Sequence, residues 1–404
     1  MSDMKKPMTI DVLTAARQRI AYGFDHCEKV YVSFSAGKDS SVMFHLVMDE
    51  AIKRGRKIGV LLIDLEAQYK LTIEHAEDMF RRYADHIELY WVCLPIKLRN
   101  SVSNYEPVWC AWDPERKDDW VREMPKSAIS DPGFFDFFQP HMEFEEFIEL
   151  FAAWYSQGAT TAAFIGIRTD ESLNRFRTIA VFDKGMHAGK RYTTEVVPGV
   201  FNFYPIYDWH VSDIWRYHAA FPDREHNQVY DRMHLAGLTP HQMRLCQPYG
   251  DDQRRGLWLY HIIEPTSWAK VVARVNGANS GALYVEESGN IMGYGRVTKP
   301  PQHTWRSFTN LLLATMPDVT REHYLRRFNA WLKGWHDRGY TTGIPDEAPR
   351  ELEKKSWAPS WRRLCKVLLR NDWWCKGLGL TQPKSAAYER YMKIKKERRL
   401  EAAQ

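Results

Sequence analysis

Along the first half of the chain, continuous apolar runs alternate with stretches whose apolar residues recur at helical spacing. In the stretch 42–52, for example, apolar side chains stand three and four residues apart, as on an amphipathic helix. The apolar runs are typical of parallel strands covered on both faces, and they lie at 30–34, 58–63, 87–94 and 161–167. The alternation predicts an α/β fold with a doubly wound, mostly parallel sheet.

Residues 96–142 interrupt this alternation. They mix aromatic side chains with Pro, Asp and Lys, and the aromatics are Trp109, Trp112, Trp120, Phe134, Phe135, Phe137 and Phe138. A long segment of this kind is either a lid inserted over the carboxyl edge of the sheet or a surface loop packed by its own aromatics. Both interpretations remain open at this point.

Beyond residue 250 the pattern changes again. Strand-like runs with Gly-rich turns occur at 271–275 and 291–295. Helical spacing follows, with predicted helices over 305–315, 321–338, 349–355, 361–370 and 384–400. We therefore expect an α/β domain over 1–250 and a mainly helical extension over 251–404.

Composition places the chain among globular proteins, with 44% hydrophobic and 26% charged residues. The six cysteines form no CxxC pair, so neither a zinc site nor a four-cysteine iron–sulfur cluster is expected. No signal peptide opens the sequence and no apolar run is long enough to span a membrane. The expected location is the cytoplasm, with reduced thiols and no membrane partner.

The net charge of +5 is unevenly distributed, because residues 350–404 carry 15 Lys and Arg against 6 Asp and Glu. Basic residues interleaved with aromatics are typical of nucleic-acid surfaces. The candidates are Trp357, Trp361, Trp373 and Trp374 with Arg362, Arg363, Lys366 and Arg370. A protein partner, or a solvated helical cap over the sheet, would use the same residues equally well.

The most informative stretch for chemistry is Ser35-Ala36-Gly37-Lys38-Asp39-Ser40, which joins the first strand to the first long helical stretch. Gly37 lets the backbone approach an anion, and the N–H groups and dipole of the following helix favour negative charge. Lys38 adds a point charge. The stretch is therefore a candidate phosphate loop, although its spacing is not that of a Walker A motif.

Other polar side chains follow strand ends, where open α/β sheets place their ligands. Asp64 ends the second strand, and Asp208 follows a later one. After the strand at 161–167, Arg168 and Arg175 could clamp an anion, and Glu171 could orient one of them or bind a metal.

In order and spacing, these blocks resemble the phosphoadenylylsulfate (PAPS) reductase/FAD synthetase branch of the PP-loop ATP pyrophosphatase superfamily. The matching blocks are Ser-x-Gly-Lys-Asp-Ser, Asp64, Gly166-Ile167-Arg168 with Glu171-Ser172 and Arg175, Pro205-Ile206-x-Asp208-Trp209, and Tyr230-Asp231. The long extension resembles the bacterial subgroup typified by immunoglobulin-binding regulator A, whose extension is a domain of unknown function.

The resemblance implies a five-stranded adenine nucleotide alpha hydrolase-like sheet with ATP, or PAPS, at its carboxyl edge. By position, the nucleotide-binding residues would be Ser33, Ser35, Gly37, Lys38, Asp39, Ser40, Asp64, Gly166, Arg168, Glu171, Arg175 and Asp208. Asp39 would lie nearest a Mg²⁺ ion. Lys38, Asp39, Arg168 and Cys246 would be the catalytic candidates.

The chain also departs from the resemblance. It lacks the Glu-Cys-Gly-Leu-His tail of PAPS reductases and the paired cysteines of iron–sulfur members. Adenylylation by ATP is then the expected chemistry, with Cys246 either carrying a persulfide for sulfur transfer or lying buried as a structural residue. The alternatives are a nucleotide-binding regulatory module without catalysis, and a PAPS-binding reductase or sulfotransferase-like protein.

Overall fold

The computed structural model describes residues 9–103, 105–180, 185–250, 257–278 and 299–381. A six-stranded sheet lies at the centre of the α/β part, and a separate two-stranded hairpin lies beside it. The strands are β1 (Lys29–Ser33), β2 (Ile58–Ile63), β3 (Ile87–Val92), β4 (Ile96–Arg99), β5 (Val108–Ala111), β6 (Thr161–Ile165), β7 (Thr193–Val197) and β8 (Val200–Phe203).

Thirteen helices accompany these strands in the described residues. Those of the α/β part are α1 (Val12–His26), α2 (Lys38–Lys53), α3 (Lys70–Arg82), α4 (Phe144–Ser156), α5 (Leu173–Ala180), α6 (Val211–Ala220) and α7 (Val229–Leu235). Those after residue 250 are α8 (Leu257–Ile263), α9 (Pro265–Arg274), α10 (Trp305–Ala314), α11 (Asp318–His336), α12 (Arg350–Lys354) and α13 (Trp361–Leu369).

The sheet order is β3-β2-β1-β6-β8-β7, with β7 antiparallel to β8 and every other neighbouring pair parallel. The predicted doubly wound, mostly parallel sheet is confirmed. The five parallel strands are joined by the edge strand β7, which the sequence analysis missed. Gly199 lies at the β7–β8 turn with φ of +78°, which favours glycine and allows the tight reversal.

Both faces of the sheet are buried, which explains the continuous apolar runs. Val30 and Val32 of β1 point into a core shared with α1, α2 and α3. Tyr31, between them, points into the opposite core, which it shares with Phe147 and Phe151 of α4. Because successive side chains of a strand face opposite sides, a strand covered on both faces needs apolar residues at every position.

The segment 96–142 contains the β4–β5 hairpin and two short 3₁₀ turns. It is hydrogen-bonded to the main sheet, because Cys93 N–H donates to the Ile129 carbonyl at 2.9 Å and Ile129 N–H donates to the Trp91 carbonyl at 2.7 Å. It therefore packs over the carboxyl ends of β2 and β3. A role as a substrate lid stays a prediction.

The strand predicted at 271–275 is wrong, since Val271 to Arg274 lie in α9. Pro265 occupies the first turn of this helix, where proline is favoured, and Val271 and Arg274 are buried on one face three residues apart. The four helices predicted over 305–370 are confirmed to within a few residues. The run at 291–295 and the helix predicted over 384–400 lie outside the described residues.

Residues after 250 contribute to two different cores. Leu257, Tyr260 and Val271 of α8 and α9 belong to the core that also holds α2 and the sheet. Helices α10, α11 and α13 form a core of their own around Tyr324, Phe328 and Leu364. The division at residue 250 stays a prediction. In the described part of the chain, no helix is both long and apolar enough to cross a membrane.

Candidate phosphate-binding site

The predicted phosphate loop connects β1 to the N-terminus of α2, as its sequence indicates. Ala36 adopts a left-handed backbone conformation with φ of +54°, which is costly for a residue with a Cβ and is common at functional sites. The Asn227 side chain, which is fully buried, donates to the Ala36 carbonyl at 3.0 Å and helps to hold the loop.

Ser40 organises the loop from inside. Its hydroxyl accepts from the Gly37 N–H at 3.1 Å and from the Ser35 N–H at 3.4 Å, and it donates to the Gly37 carbonyl at 3.0 Å. The Ser35 hydroxyl lies 3.0 Å from it. Ser35, Gly37 and Ser40 are thus brought together as predicted, while Ser33 ends β1 in the sheet.

Lys38 is buried beneath the segment that follows α7. Its ammonium donates to the Met243 carbonyl at 3.0 Å and lies 3.3 Å from an Asp39 carboxylate oxygen. Its backbone N–H donates to the Tyr230 hydroxyl at 3.0 Å. Burial raises the pKa of Tyr230, so this hydroxyl stays protonated at neutral pH.

Arg168, at the end of β6, is brought against the loop by an ion pair with Asp39. Its guanidinium also lies 3.8 Å from an Asp170 oxygen. The two Asp39 oxygens therefore face two different cations, Lys38 and Arg168. Arg168 thus lies beside the loop with the Asp39 carboxylate between it and Lys38, and its role at a phosphate stays a prediction.

Gly166 explains how Arg168 reaches the loop. A Cβ at this position would lie 2.9 Å from the Ser40 Cα and 3.0 Å from the Ser40 nitrogen, which are backbone atoms of α2. Such distances are shorter than real Cβ contacts, so the helix can approach β6 this closely only because the residue is glycine.

A cavity of about 190 Å³ lies at this place. Three cations line it, together with two acids and a histidine. The lining residues are Lys38, Arg168, Asp170, Glu171, Pro240, His241, Met243 and Arg244. The cations and the helix N-terminus together make the cavity suitable for an anion.

Two predicted residues point elsewhere. Asp64 is buried, forms an ion pair with Arg122 and accepts a hydrogen bond from the Trp91 indole N–H at 2.9 Å. Asp208 forms a bidentate ion pair with Arg19 of α1, and both N–O distances are 2.7 Å. These carboxylates hold elements together, and neither lines the 190 Å³ cavity.

Arg175 and Cys246 lie at the margin of the site. The Arg175 guanidinium, 43% exposed, is 3.5 Å from a Glu171 oxygen and does not line the cavity. Cys246 is exposed, so the interpretation as a buried structural cysteine is wrong. It belongs to the same segment as Met243 and Arg244, but its side chain is not part of the cavity wall.

Three residues that contribute to the site were not among the sequence candidates: Asn227, Tyr230 and Arg244. Tyr230 stood in a matching block without an assigned role, and neither Asn227 nor Arg244 follows a strand end. These residues lie near the loop because the chain folds back toward it after α6. The spacing of residues within the sequence does not predict that path. Arg244 donates to the Glu171 carbonyl at 2.5 Å and thereby joins the two sides of the cavity.

The described side chains do not fit a resident Mg²⁺ ion as they stand. Among them, no group of three or more His, Cys, Asp or Glu is placed to hold a metal. Mg²⁺ needs free carboxylate oxygens or substrate phosphates, whereas both Asp39 oxygens are taken up by Lys38 and Arg168.

A second cavity, of about 650 Å³, lies at the carboxyl end of β3 beneath the segment 112–132. Its walls combine Trp112, Trp120 and Met124 with the cations Lys117, Arg122 and Lys270. The Arg122 guanidinium lies 5.0 Å from the centre of the Trp112 ring. This volume is within the range of small-molecule sites.

Two of the basic residues predicted for the surface of the extension are buried, whereas Trp357 is 65% exposed. Arg362 is buried, with Glu353 at 3.1 Å and Glu347 at 2.8 Å, and Arg363 is buried and donates to the Ala358 carbonyl at 2.9 Å. Trp373 stacks on His323, with ring centres 3.6 Å apart. The polar groups of Arg362 and Arg363 are therefore used to fold the extension, and a nucleic-acid or protein partner for the other candidates stays a prediction.

Comparison with known proteins decides the family. The model of the phosphoadenosine phosphosulfate reductase domain matches residues 29–234, which include the loop, Arg168 and Tyr230. The chain belongs to this family. A second model, a domain of unknown function (DUF3440), matches residues 237–358. The chain is also 43% identical over 404 residues to the uncharacterized protein YbdN of Escherichia coli K12, covering 99% of this chain and 98% of that protein.

Solved structures show more distant likeness. FMN adenylyltransferase of Candida glabrata is 14% identical with a TM-score of 0.35, and the match covers 55% of this chain and 58% of that one. PAPS reductase of Candida auris is 11% identical with a TM-score of 0.31, over 54% of this chain and 84% of that one. Membership of the family rests on the sequence matches.

Proposed function

We propose that this family member binds ATP at the N-terminus of α2 and cleaves it to AMP and pyrophosphate in order to adenylylate an acceptor. The observation that carries the proposal is the convergence of Lys38, Arg168 and Arg244 on one cavity beside the loop. Three cations and a helix N-terminus outweigh the carboxylates of Asp170 and Glu171 in the lining and favour an anionic ligand.

In the proposed reaction, an anionic oxygen of the acceptor forms a bond to the α-phosphorus of ATP. The bond from that phosphorus to the bridging oxygen breaks, and its electron pair leaves with pyrophosphate. Lys38, Arg168 and the N-terminus of α2 stabilise the charge that develops on this leaving group. Asp39 holds Lys38 and Arg168 in place through its two ion pairs.

The acceptor would be a small molecule or a nucleic acid. The 650 Å³ cavity lies on the same edge of the sheet, two strands from β1, or about 10 Å at the usual strand spacing. Sulfur transfer is the finer form of the proposal: the terminal sulfur of a persulfide on Cys246, loaded by a separate sulfur donor, would displace AMP from the acceptor, and a thiol reductant would then cleave the S–S bond and leave the sulfur on the acceptor. The exposure of Cys246 supports access by such a donor.

A second candidate is a nucleotide-binding regulatory module without catalysis. The observation that favours it is that Lys38 is already bonded to the protein through both its ammonium and its N–H. The same cations could bind PAPS, but the sequence lacks the Glu-Cys-Gly-Leu-His segment of PAPS reductases, which argues against a reductase. A protein or nucleic-acid partner of the extension belongs with these alternatives.

The proposal is tested by following ATP labelled at the α or the γ phosphate, alone and with candidate acceptors. We expect labelled AMP and labelled pyrophosphate. Lys38→Ala should reduce AMP formation by roughly 100-fold, since it removes one charge from the leaving-group site. Lys53→Ala, at the other, exposed end of α2, is the matched control and should leave the rate unchanged.

Release of labelled phosphate instead of pyrophosphate would contradict adenylylation. So would tight ATP binding without AMP formation under every acceptor tried, which would favour the regulatory module. Retention of full activity by a folded Lys38→Ala protein would show that the site is assigned to the wrong residues.

A further inference from the structure

The segment 239–246 closes the cavity and comes from the part of the chain that matches the domain of unknown function, not from the reductase-like domain. Pro240, His241, Met243 and Arg244 of this segment supply half of the residues lining the cavity. The phosphate loop alone therefore does not complete the site.

The segment also takes part in hydrogen bonds with which two of the cavity's cations are already engaged. The Lys38 ammonium is bonded to the Met243 carbonyl at 3.0 Å, and the Arg244 guanidinium is bonded to the Glu171 carbonyl at 2.5 Å. Both acceptors are backbone oxygens, which are neutral. A phosphate oxygen is a stronger partner for either cation, because the attraction between opposite charges is added to the hydrogen bond.

Size leads to the same conclusion. A cavity of about 190 Å³ is smaller than the roughly 300–1,000 Å³ of typical small-molecule sites, and a nucleotide triphosphate does not fit within it. Of the other lining residues, Lys38 and Arg168 are buried, and the backbone that carries them is closely packed where Gly166 meets Ser40. The wall that can yield is the segment 239–246, where Thr239, Pro240, His241, Gln242 and Cys246 are exposed.

We propose that the segment 239–246 is the gate of the phosphate site and supplies one of its ligands. When the segment shifts, Lys38 exchanges the Met243 carbonyl for a phosphate oxygen, and Arg244 exchanges the Glu171 carbonyl for the same anion. This proposal rests on the proposed function only for its ligand class, a nucleotide that carries a diphosphate group.

The test measures binding of inorganic pyrophosphate by calorimetry to the full chain and three variants. Arg244→Gln should weaken binding by about 10-fold or more, the loss expected for one charge-assisted hydrogen bond. Arg244→Lys keeps the charge and should recover most of the affinity. Arg232→Gln, on the exposed face of α7, is the matched control and should bind like the unaltered chain.

Movement of the segment is read at Cys246, which is exposed, whereas Cys27, Cys93, Cys365 and Cys375 are buried and Cys110 is partly buried. We expect the rate of Cys246 labelling by a thiol reagent to change several-fold when pyrophosphate saturates the site. Loss of the fast labelling phase in Cys246→Ser confirms the assignment. Arg244→Gln should bind pyrophosphate weakly and need correspondingly more of it for the same change in rate.

The gate is overturned if Arg244→Gln binds pyrophosphate as tightly as Arg232→Gln, if Cys246 reacts at one rate with and without the anion, or if the unaltered chain does not bind pyrophosphate. Failure of the proposed function is distinct. If pyrophosphate binding depends on Arg244 but no AMP forms from ATP with any acceptor, the gate stands and adenylylation does not.

Discussion

At the scale of single residues, the phosphate loop depends on polar side chains that are buried and paired. The Ser41 hydroxyl, next to the loop serine Ser40, lies 2.8 Å from Nε2 of His75 on α3. Burial, aided by the nearby His218 and His226 and opposed by Asp78, lowers the pKa of His75 to about 4. His75 is therefore neutral in the folded chain at pH 7, and its bond to Ser41 links α3 to the start of α2.

This lowered pKa predicts a loss of stability in weak acid. The unfolded chain has an ordinary histidine pKa of about 6.5, so below that pH it binds a proton that the folded chain resists down to about pH 4. The free energy of unfolding should fall by about 2 kcal/mol more in the unaltered chain than in His75→Gln between pH 7.5 and 5. Denaturant unfolding at both pH values measures this difference.

His336→Gln, at an exposed position on α11, serves as the comparison and should keep the pH dependence of the unaltered chain. An equal pH dependence in His75→Gln and the unaltered chain would show that His75 does not resist protonation.

At the scale of elements, the site forms where the end of β6 meets the start of α2. Strand β6 pairs with β1, so the residue after it reaches the same edge as the phosphate loop. Gly166 permits backbone contact with Ser40, and Arg168 then reaches Asp39. The geometry of the cations is therefore set by how closely a strand end and a helix start can approach.

Gly166→Ala should lower both the stability of the fold and the affinity for ATP. The added Cβ would meet backbone atoms of α2, which cannot move without the rest of the helix. We expect a loss of about 1–3 kcal/mol in the free energy of unfolding, as for other overpacked positions, and weaker ATP binding. Thermal unfolding and calorimetry provide the two measurements.

Gly334→Ala within α11 is the matched control, since a Cβ there meets nothing within 4 Å. Helix propensity predicts that this change is neutral or stabilises by up to about 1 kcal/mol. A Gly166→Ala protein as stable as Gly334→Ala would contradict the close-approach argument.

At the scale of the whole molecule, the extension and the α/β part are joined by a buried ion pair. Arg274 of α9 contacts Glu66, just after β2, at 2.6 Å and 2.9 Å, and both side chains are almost fully buried. The Glu66 carboxylate also accepts a hydrogen bond from the backbone N–H of Trp112 at 2.7 Å. One carboxylate thus connects the sheet, the segment 96–142 and α9.

Arg274→Met should destabilise the chain by about 3–5 kcal/mol, because it leaves the Glu66 charge buried without its cation. The free energy of unfolding in denaturant measures this effect. Lys354→Ala removes a solvent-exposed pair with Glu351 and should cost less than about 1 kcal/mol. If the two changes cost the same, the Glu66–Arg274 pair does not join the two parts.

Much of the fold could be predicted from the sequence because the relevant signals are local. The apolar runs of β1 and β2 and the helical spacing of α2 reflect which faces are buried, and this burial can be read from each stretch by itself. The prediction of a strand at 271–275 was wrong because a short run of β-branched residues also fits a helix. Packing against α8 and the sheet buries one face of that helix. The edge strand β7 was missed because it is stabilised mainly by pairing with β8.

The sequence by itself indicated the candidate phosphate loop, since Gly37, Lys38 and Ser40 lie within one short stretch between a strand and a helix. It also determined the nearness of Arg168, because parallel strands end at one edge. Only the tertiary structure decided which carboxylates remain near the cavity: Asp64 and Asp208 are drawn away by Arg122 and Arg19. It likewise decided that Arg244 and Met243 complete the site, since their position depends on long-range packing of the chain after α7 and not on any spacing within it.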